Sequence, residues 1–205
     1  MAGPALAGRP QVARLRARAG RPVNTKPHRS GAVVDGVDWD RRSVILCKPD
    51  AVDRGLTDTV LARLALPGVE ITGRTRVIVQ PWQIHVHYWD LLVDKDWFPG
   101  RDIPACLDAE YAGRTVTVAL ACGGPDLHAR LRAELGHFDP ARAAEGTIRG
   151  DYGEDSLELA LAERRLVRNL VHTSDNAEAA RRDFGTWYGA ARRELLLPRP
   201  RSATR

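Results

Sequence analysis

The sequence predicts an α+β fold, an antiparallel four-stranded sheet with helices packed around it. Three observations predict it. Apolar or alternating segments recur four times, at 43–47, 69–79, 114–122 and 165–172. Between them lie segments with apolar residues at helical spacing, bounded by proline, glycine and capping residues. The 205 residues are 43% hydrophobic, enough for one real core with tails.

The elements follow in order. Residues 1–40, rich in Arg, Ala, Gly and Pro, predict a disordered extension. "SVILC" (43–47) is a short apolar run that reads as a buried strand, and Pro49 and Gly55 mark the loop after it. "TDTVLARLAL" (57–66) has Thr57 as N-cap and is ended by Pro67-Gly68. "VEITGRTRVIV" (69–79) alternates like a half-buried strand. Pro81 opens a helix through Leu92, and a short helix covers 101–111. "RTVTVALAC" (114–122) is the third strand, and Pro125 starts a helix through Leu135. Some twenty irregular residues follow, a length that in a compact domain points to function or disorder. "RLVRNLVH" (165–172) is the fourth strand, and Asp175 caps a last helix. Residues 41–197 thus form one domain, and 198–205 a disordered basic tail. The order β-α-β-β-α-β, with an extra helix pair between strands two and three, suits a ferredoxin-like arrangement with helices on one face of the sheet.

Composition excludes several functions. The net charge is +5, but residues 1–30 carry seven basic side chains and 198–205 three, with no acid in either. The domain between them is therefore net acidic, which argues against a nucleic-acid-binding fold. Nonspecific contact of the tails with nucleic acid stays open. An Arg-rich, acid-free start also has the composition of a transit peptide. No apolar run approaches the ~18 residues that span a membrane. Three widely spaced cysteines make neither a disulfide framework nor a metal pattern, and suit a reducing, cytoplasmic setting.

Four stretches hold residues able to do chemistry. In "KPDAVDRG" (48–55), Lys48 at a strand end offers its ammonium to an anion. In "HVHYWDLL" (85–92), His85 and His87 are two apart and point to different helical faces, so no metal pair is expected. Arg132 and Arg149 bracket the long irregular stretch, and guanidinium forks suit phosphate oxygens. Neither a P-loop nor a dinucleotide fingerprint occurs. In "RNLVHTSD" (168–175), His172 can serve as a nucleophile that holds a phosphoryl group. Glu178 or Asp183 can orient its ring, and Lys48, Arg132 and Arg149 can neutralise the transferred charge.

"CKPDAVDRG", "HYWDLL…WFPG", "GTIRGD" and "RNLVHTSD…W" stand in the order and approximate spacing of nucleoside diphosphate kinases. The chain resembles that family from residue 43 to about 188. The resemblance implies transfer of a terminal phosphoryl from a nucleoside triphosphate to a diphosphate, by ping-pong through a phosphohistidine at His172. It implies phosphate and ribose contacts from Lys48, Tyr88 beside the histidine, and phosphate binding by Arg132 and Arg149. Asn169 would bond the sugar, Ser174 matches the serine after the histidine, and Trp97 or Phe98 would stack on the base. Asp183 stands where the family has a glutamate that holds the histidine ring, one methylene shorter. Mg²⁺ would arrive on the nucleotide phosphates, since it keeps its waters. A homo-oligomer, hexamer or tetramer, is implied as well.

The chain departs from the family's pattern at Ala51, a glycine there; at Phe138, a phosphate-binding threonine; and at Thr173, a glycine. About ten extra residues within 153–166 can form a short helix near the nucleotide mouth. Two other readings use the same residues: a specialised relative acting on another phosphorylated metabolite, and a nucleotide-binding module with weak catalysis.

Overall fold

The structure, a computed structural model, describes residues 32–93 and 101–197. It begins with a hairpin of β1 (Val33–Val34) and β2 (Val37–Asp38). Asp35 and Gly36 both have positive φ at its turn, 52° and 76°, as tight hairpins require. A 3-10 turn, Trp39–Arg41, follows and buries Trp39 against Phe184, ring centroids 5.8 Å apart. Residues 32–40, read from sequence as extension, therefore join the domain: the Asp-Gly turn and one aromatic anchor suffice.

β3 (Arg42–Cys47) leads into α1 (Pro49–Asp53) and α2 (Thr57–Leu64). β4 (Glu70–Ile78), α3 (Pro81–His87), α4 (Trp89–Val93) and α5 (Ile103–Tyr111) come next. Then follow β5 (Thr115–Cys122), α6 (Leu127–Leu135), α7 (Ile148–Tyr152) and α8 (Leu157–Ala162). β6 (Val171–Thr173), α9 (Ala177–Trp187) and a 3-10 segment, Ala190–Leu196, complete the described chain.

The main sheet is antiparallel in the order β4-β5-β3-β6, the predicted ferredoxin-like topology. Helices cover both faces rather than one. Ile45 and Cys47 of β3 pack with Val60, Leu64, Leu127 and Leu131 of α2 and α6. Val44 and Leu46 face the other way, to Ile84, Leu107, Ala180 and Phe184 of α3, α5 and α9. The reason is in the strands: "VILC" and "VALA" are continuous apolar runs, the pattern of strands buried on both sides.

Other boundaries also differ. The fourth strand is three residues, not eight, because the chain turns sharply at Leu170. The helix from Pro81 breaks at Tyr88. Thr57 is the first residue of α2 rather than its cap, and Asn176, not Asp175, caps α9 by accepting from the Ala179 N–H. The irregular stretch holds α7 and a 3-10 turn, Pro140–Arg142, and the extra residues form α8 with Ser156 as N-cap.

Candidate active site

The site forms where β3 and β6 end side by side. His172 lies in β6 with Leu46 of β3 as its register partner. Just before it, Leu170 is buried with φ at +69°, a conformation that costs an L-residue ~1–3 kcal/mol. The loop after β3 clamps it there. Lys48 N–H donates to Leu170 O at 2.8 Å, and Asp50 Oδ2 accepts from Leu170 N–H at 2.9 Å. Val171 N–H donates back to Asn169 O at 2.8 Å, closing a three-residue turn. This turn aims Asn169 and His172 into one cavity, so "KPD" and "RNLVH" act as a unit.

That cavity is about 300 Å³ and is lined by Lys48, Tyr88, Arg149, Asn169 and His172 on its polar side. Lys48 Nζ donates to Asn169 Oδ1 at 2.7 Å and lies 5.7 Å from the Tyr88 ring centroid. Asn169 Nδ2 donates to Phe138 O at 2.6 Å, which fixes the amide's orientation. Tyr88 and Tyr111 hydroxyls meet at 3.1 Å.

Arg149 rises from α7, where Thr147 caps the helix by accepting from Gly150 N–H. Its guanidinium donates to three backbone carbonyls: Asn169 O at 3.2 Å, Gly136 O at 3.1 Å and Val171 O at 2.7 Å. It is only 8% exposed, and none of these partners is a carboxylate. Desolvation lowers its pKa to about 10, so the cation persists at neutral pH. A buried cation tied only to neutral acceptors retains its attraction for an anion entering the cavity.

His172 is half-buried. Desolvation and then the neighbouring His87 ring hold it well below the ordinary histidine value, against the pull of Asp183. It is therefore a neutral imidazole with a free lone pair at neutral pH. Among the described residues its ring receives no hydrogen bond. His87 and Tyr88 meet it edge to face, centroids 4.7 and 5.5 Å away.

The carboxylate expected to hold that ring is occupied elsewhere. Asp183 is fully buried and Glu178 is exposed on the same helix, which settles which of the two faces the site. Yet Asp183 Oδ1 lies 3.0 Å from His87 Nδ1, and Oδ2 accepts from Ser174 Oγ at 2.7 Å. Asp183 is one methylene shorter than the residue the pattern asks for, and His87 fills the gap. His87, His172 and Asp183 bring ligand atoms within 4.8 Å, the makings of a metal site. Both carboxylate oxygens are already engaged, and Arg182 Nε stands 3.5 Å from Oδ1.

The remaining sequence candidates are placed differently. Ser174 is buried behind the site, where it also accepts from Val44 N–H at 3.1 Å. Arg132 is exposed on the rim, paired with Asp175, and does not line the cavity. Trp97 and Phe98 lie outside the described residues. The cavity's apolar wall includes Phe138, Leu157 of α8, Leu107 and Leu166, which sequence reading did not bring together. In the sequence His87 shows only as half of an excluded metal pair with His85. The signal available was its position directly before Tyr88 in a chain with a shortened carboxylate.

Comparison with known proteins gives one answer. The family model described as "Nucleoside diphosphate kinase" matches residues 41–192. A nucleoside diphosphate kinase of Chloroflexus aurantiacus is 32% identical over 147 residues, covering 72% of this chain and 86% of that protein. An NDP kinase crystal structure from Pyrobaculum aerophilum superposes with a TM-score of 0.64 at 29% identity, over 77% of this chain and 99% of the other. The Borrelia burgdorferi enzyme, solved with vanadate and ADP as a transition-state mimic, shares the fold at a TM-score of 0.68 and 23% identity, over 79% and 93%. The chain belongs to the nucleoside diphosphate kinase family.

Proposed function

We propose that this chain moves the terminal phosphoryl of a nucleoside triphosphate to a nucleoside diphosphate, by ping-pong through a phosphohistidine at His172. One observation carries the reading: the un-neutralised, buried Arg149 cation faces the same cavity as a histidine held neutral. One group attracts phosphate oxygens and the other attacks phosphorus.

In the first half-reaction a lone pair of His172 forms a P–N bond, and the P–O bond to the nucleoside diphosphate breaks. The leaving oxygen departs with the electron pair. Lys48 and Arg149 hold phosphate oxygens, Arg132 adds charge at the rim, and Tyr88 contacts the transferred group. Asn169, its amide fixed by Lys48 and Phe138 O, meets the sugar. The aromatic for the base is Trp97 or Phe98. The second half-reaction is the reverse with another diphosphate.

No carboxylate lines this cavity among the described residues, so its own walls offer Mg²⁺ no oxygen cage. The ion fits as a passenger on the nucleotide phosphates, where it neutralises their charge. No helix of the described residues is long and apolar enough to cross a membrane, and a cytoplasmic, homo-oligomeric enzyme, hexamer or tetramer, fits the reading. β4 is an edge strand, and Ile78 on it is 63% exposed, an edge that assembly would cover.

Phe138, where the family's pattern has a hydroxyl, and Leu157 of the extra helix α8 put apolar surface on the cavity wall and favour a narrower acceptor range. A panel of diphosphates offered with ATP and Mg²⁺ tests both points. Transfer to several nucleoside diphosphates supports the general kinase. Transfer confined to another phosphorylated acceptor supports the specialised relative, and no transfer contradicts the proposal.

A further inference from the structure

Within the phosphohistidine reading, the contacts around His172 raise a question of orientation. A nucleophilic imidazole needs its second nitrogen held and the charge that grows on attack absorbed. Asp183 does neither directly, because its two oxygens are committed to His87 and Ser174.

We infer that His87 is the positioning residue for His172, with Asp183 acting one step removed, as a carboxylate–imidazole–imidazole relay. Two contacts and one unfilled atom carry this. The His87 and His172 rings meet edge to face with centroids 4.7 Å apart and planes at 81°, which fixes the plane of the nucleophile. His87 Nδ1 stands 3.0 Å from an ionised Asp183, so that nitrogen carries the proton and donates. His87 Nε2 is then left with a lone pair, buried and without a partner among the described residues. That atom is an unfilled acceptor on the ring that meets His172.

Two groups compete for Nδ1. The Trp187 Nε1–H points at it from 3.2 Å and suits the opposite tautomer, but the charge-assisted bond to the Asp183 carboxylate at 3.0 Å is the stronger and sets the proton on Nδ1. The indole packs against the His87 ring, centroids 5.6 Å apart. Arg182, with Nε 3.5 Å from Asp183 Oδ1 and a second nitrogen donating to His87 O at 3.2 Å, favours the charged carboxylate. Tyr88, Lys48 and Arg149 flank His172 from the cavity side. When His172 attacks phosphorus, its ring becomes an imidazolium carrying one proton on the other nitrogen. That proton is shared with His87 Nε2 and stays within the pair. No proton passes to substrate, and the electron pair of the broken P–O bond leaves with the diphosphate.

The test exploits the missing methylene. Ligand atoms of the three residues lie within 4.8 Å of one another, and one more C–C bond extends reach by about 1.5 Å. Asp183→Glu should therefore bring a carboxylate to His172 without His87. The full-length protein and the variants His87→Asn, Asp183→Glu and the double variant are labelled with γ-labelled ATP and Mg²⁺ in single turnover. Asparagine keeps a donor towards Asp183 and removes the ring. The relay predicts that His87→Asn slows labelling about 100-fold. Adding Asp183→Glu restores at least about tenfold of that loss, a coupling that independent sites would not show. A double variant as slow as His87→Asn, with thermal unfolding preserved in both, overturns the relay while leaving the phosphohistidine in place.

A second reading of the same samples does not depend on how well His87→Asn folds. Asp183→Glu alone should move the acid limb of the labelling rate to higher pH, because the carboxylate then bonds His172 directly. An unmoved limb contradicts the relay. Absence of label on the unmodified protein contradicts the phosphohistidine itself, and the relay with it.

Discussion

The floor of the cavity and its rim are built by different physics. On the floor, Arg149 donates to three backbone carbonyls, Asn169 is held from both ends, and Leu170 is clamped in a strained turn by Lys48 and Asp50. Each polar group there is fixed by the main chain or by another floor residue. On the rim, Arg132 reaches only Asp175, and both side chains are more than half exposed. Phe138 is 44% exposed, and Leu157 comes from α8, the segment that the family's pattern lacks. A buried, over-determined floor resists substitution, since each change strands several buried partners. An exposed rim can drift with little penalty. The departures from the family's pattern at Phe138 and in α8 fall on the rim and change the size and polarity of its wall. Those in the buried layer, Ala51, Thr173 and Asp183, are small changes of side chain, and Asp183 has a compensating partner.

This contrast predicts unequal effects for two arginines that look alike in sequence. Arg149→Ala should slow transfer about 10²–10³-fold, because it removes a preorganised donor from a dry site. It should also lower stability by a few kcal/mol, because three carbonyls lose a donor, at about 1–3 kcal/mol for each one left buried. Arg132→Ala should slow transfer about tenfold and leave stability within about 0.5 kcal/mol. Steady-state rates and urea unfolding of the two variants check both. Equal effects would break the division into floor and rim.

Phe138→Thr sharpens the same contrast from the other side. It returns a hydroxyl donor to the rim and should speed transfer about tenfold, with unfolding unchanged. The Phe138 carbonyl that Asn169 uses is unaffected by the swap. A slower enzyme would place Phe138 among the substrate-holding groups.

A smaller effect concerns pH. Burial raises the Asp183 pKa, but His87 and the Ser174 hydrogen bond outweigh it and bring the carboxyl from 3.8 down to about 2. A depressed acid contributes stability that is full above its unfolded value and lost as pH falls through its folded one. Asp183 should thus contribute about 2 kcal/mol at pH 7, declining below pH 4 and gone near pH 2. Urea unfolding of the protein and of Asp183→Asn should differ by that amount at neutral pH and converge in acid.

Much of this was legible in the sequence. β3 and β5 showed as apolar runs, and the topology followed from element order. Lys48, Arg149, Asn169 and His172 stand out in their motifs, and the structure gathers them around one cavity. What escaped depends on contacts between distant segments. The shortness of β6 comes from Leu170, whose positive φ is held by Asp50, 120 positions away in the chain. The break at Tyr88 is set by packing, which overrides helical periodicity, whereas the covering of both sheet faces is already signalled by the unbroken apolar runs of β3 and β5. The exchange of partners at Asp183 turns on a single methylene, and no pattern in one dimension shows where the freed carboxylate goes.

The proposed function stands on the covalent intermediate on His172. The full-length protein and His172→Ala are incubated with γ-labelled ATP and Mg²⁺, and the protein is tested for acid-labile, base-stable label. Label is expected on the unmodified protein alone, removed within one turnover by added nucleoside diphosphates. A folded, nucleotide-binding protein that takes up no label, or takes it up equally without His172, would contradict it.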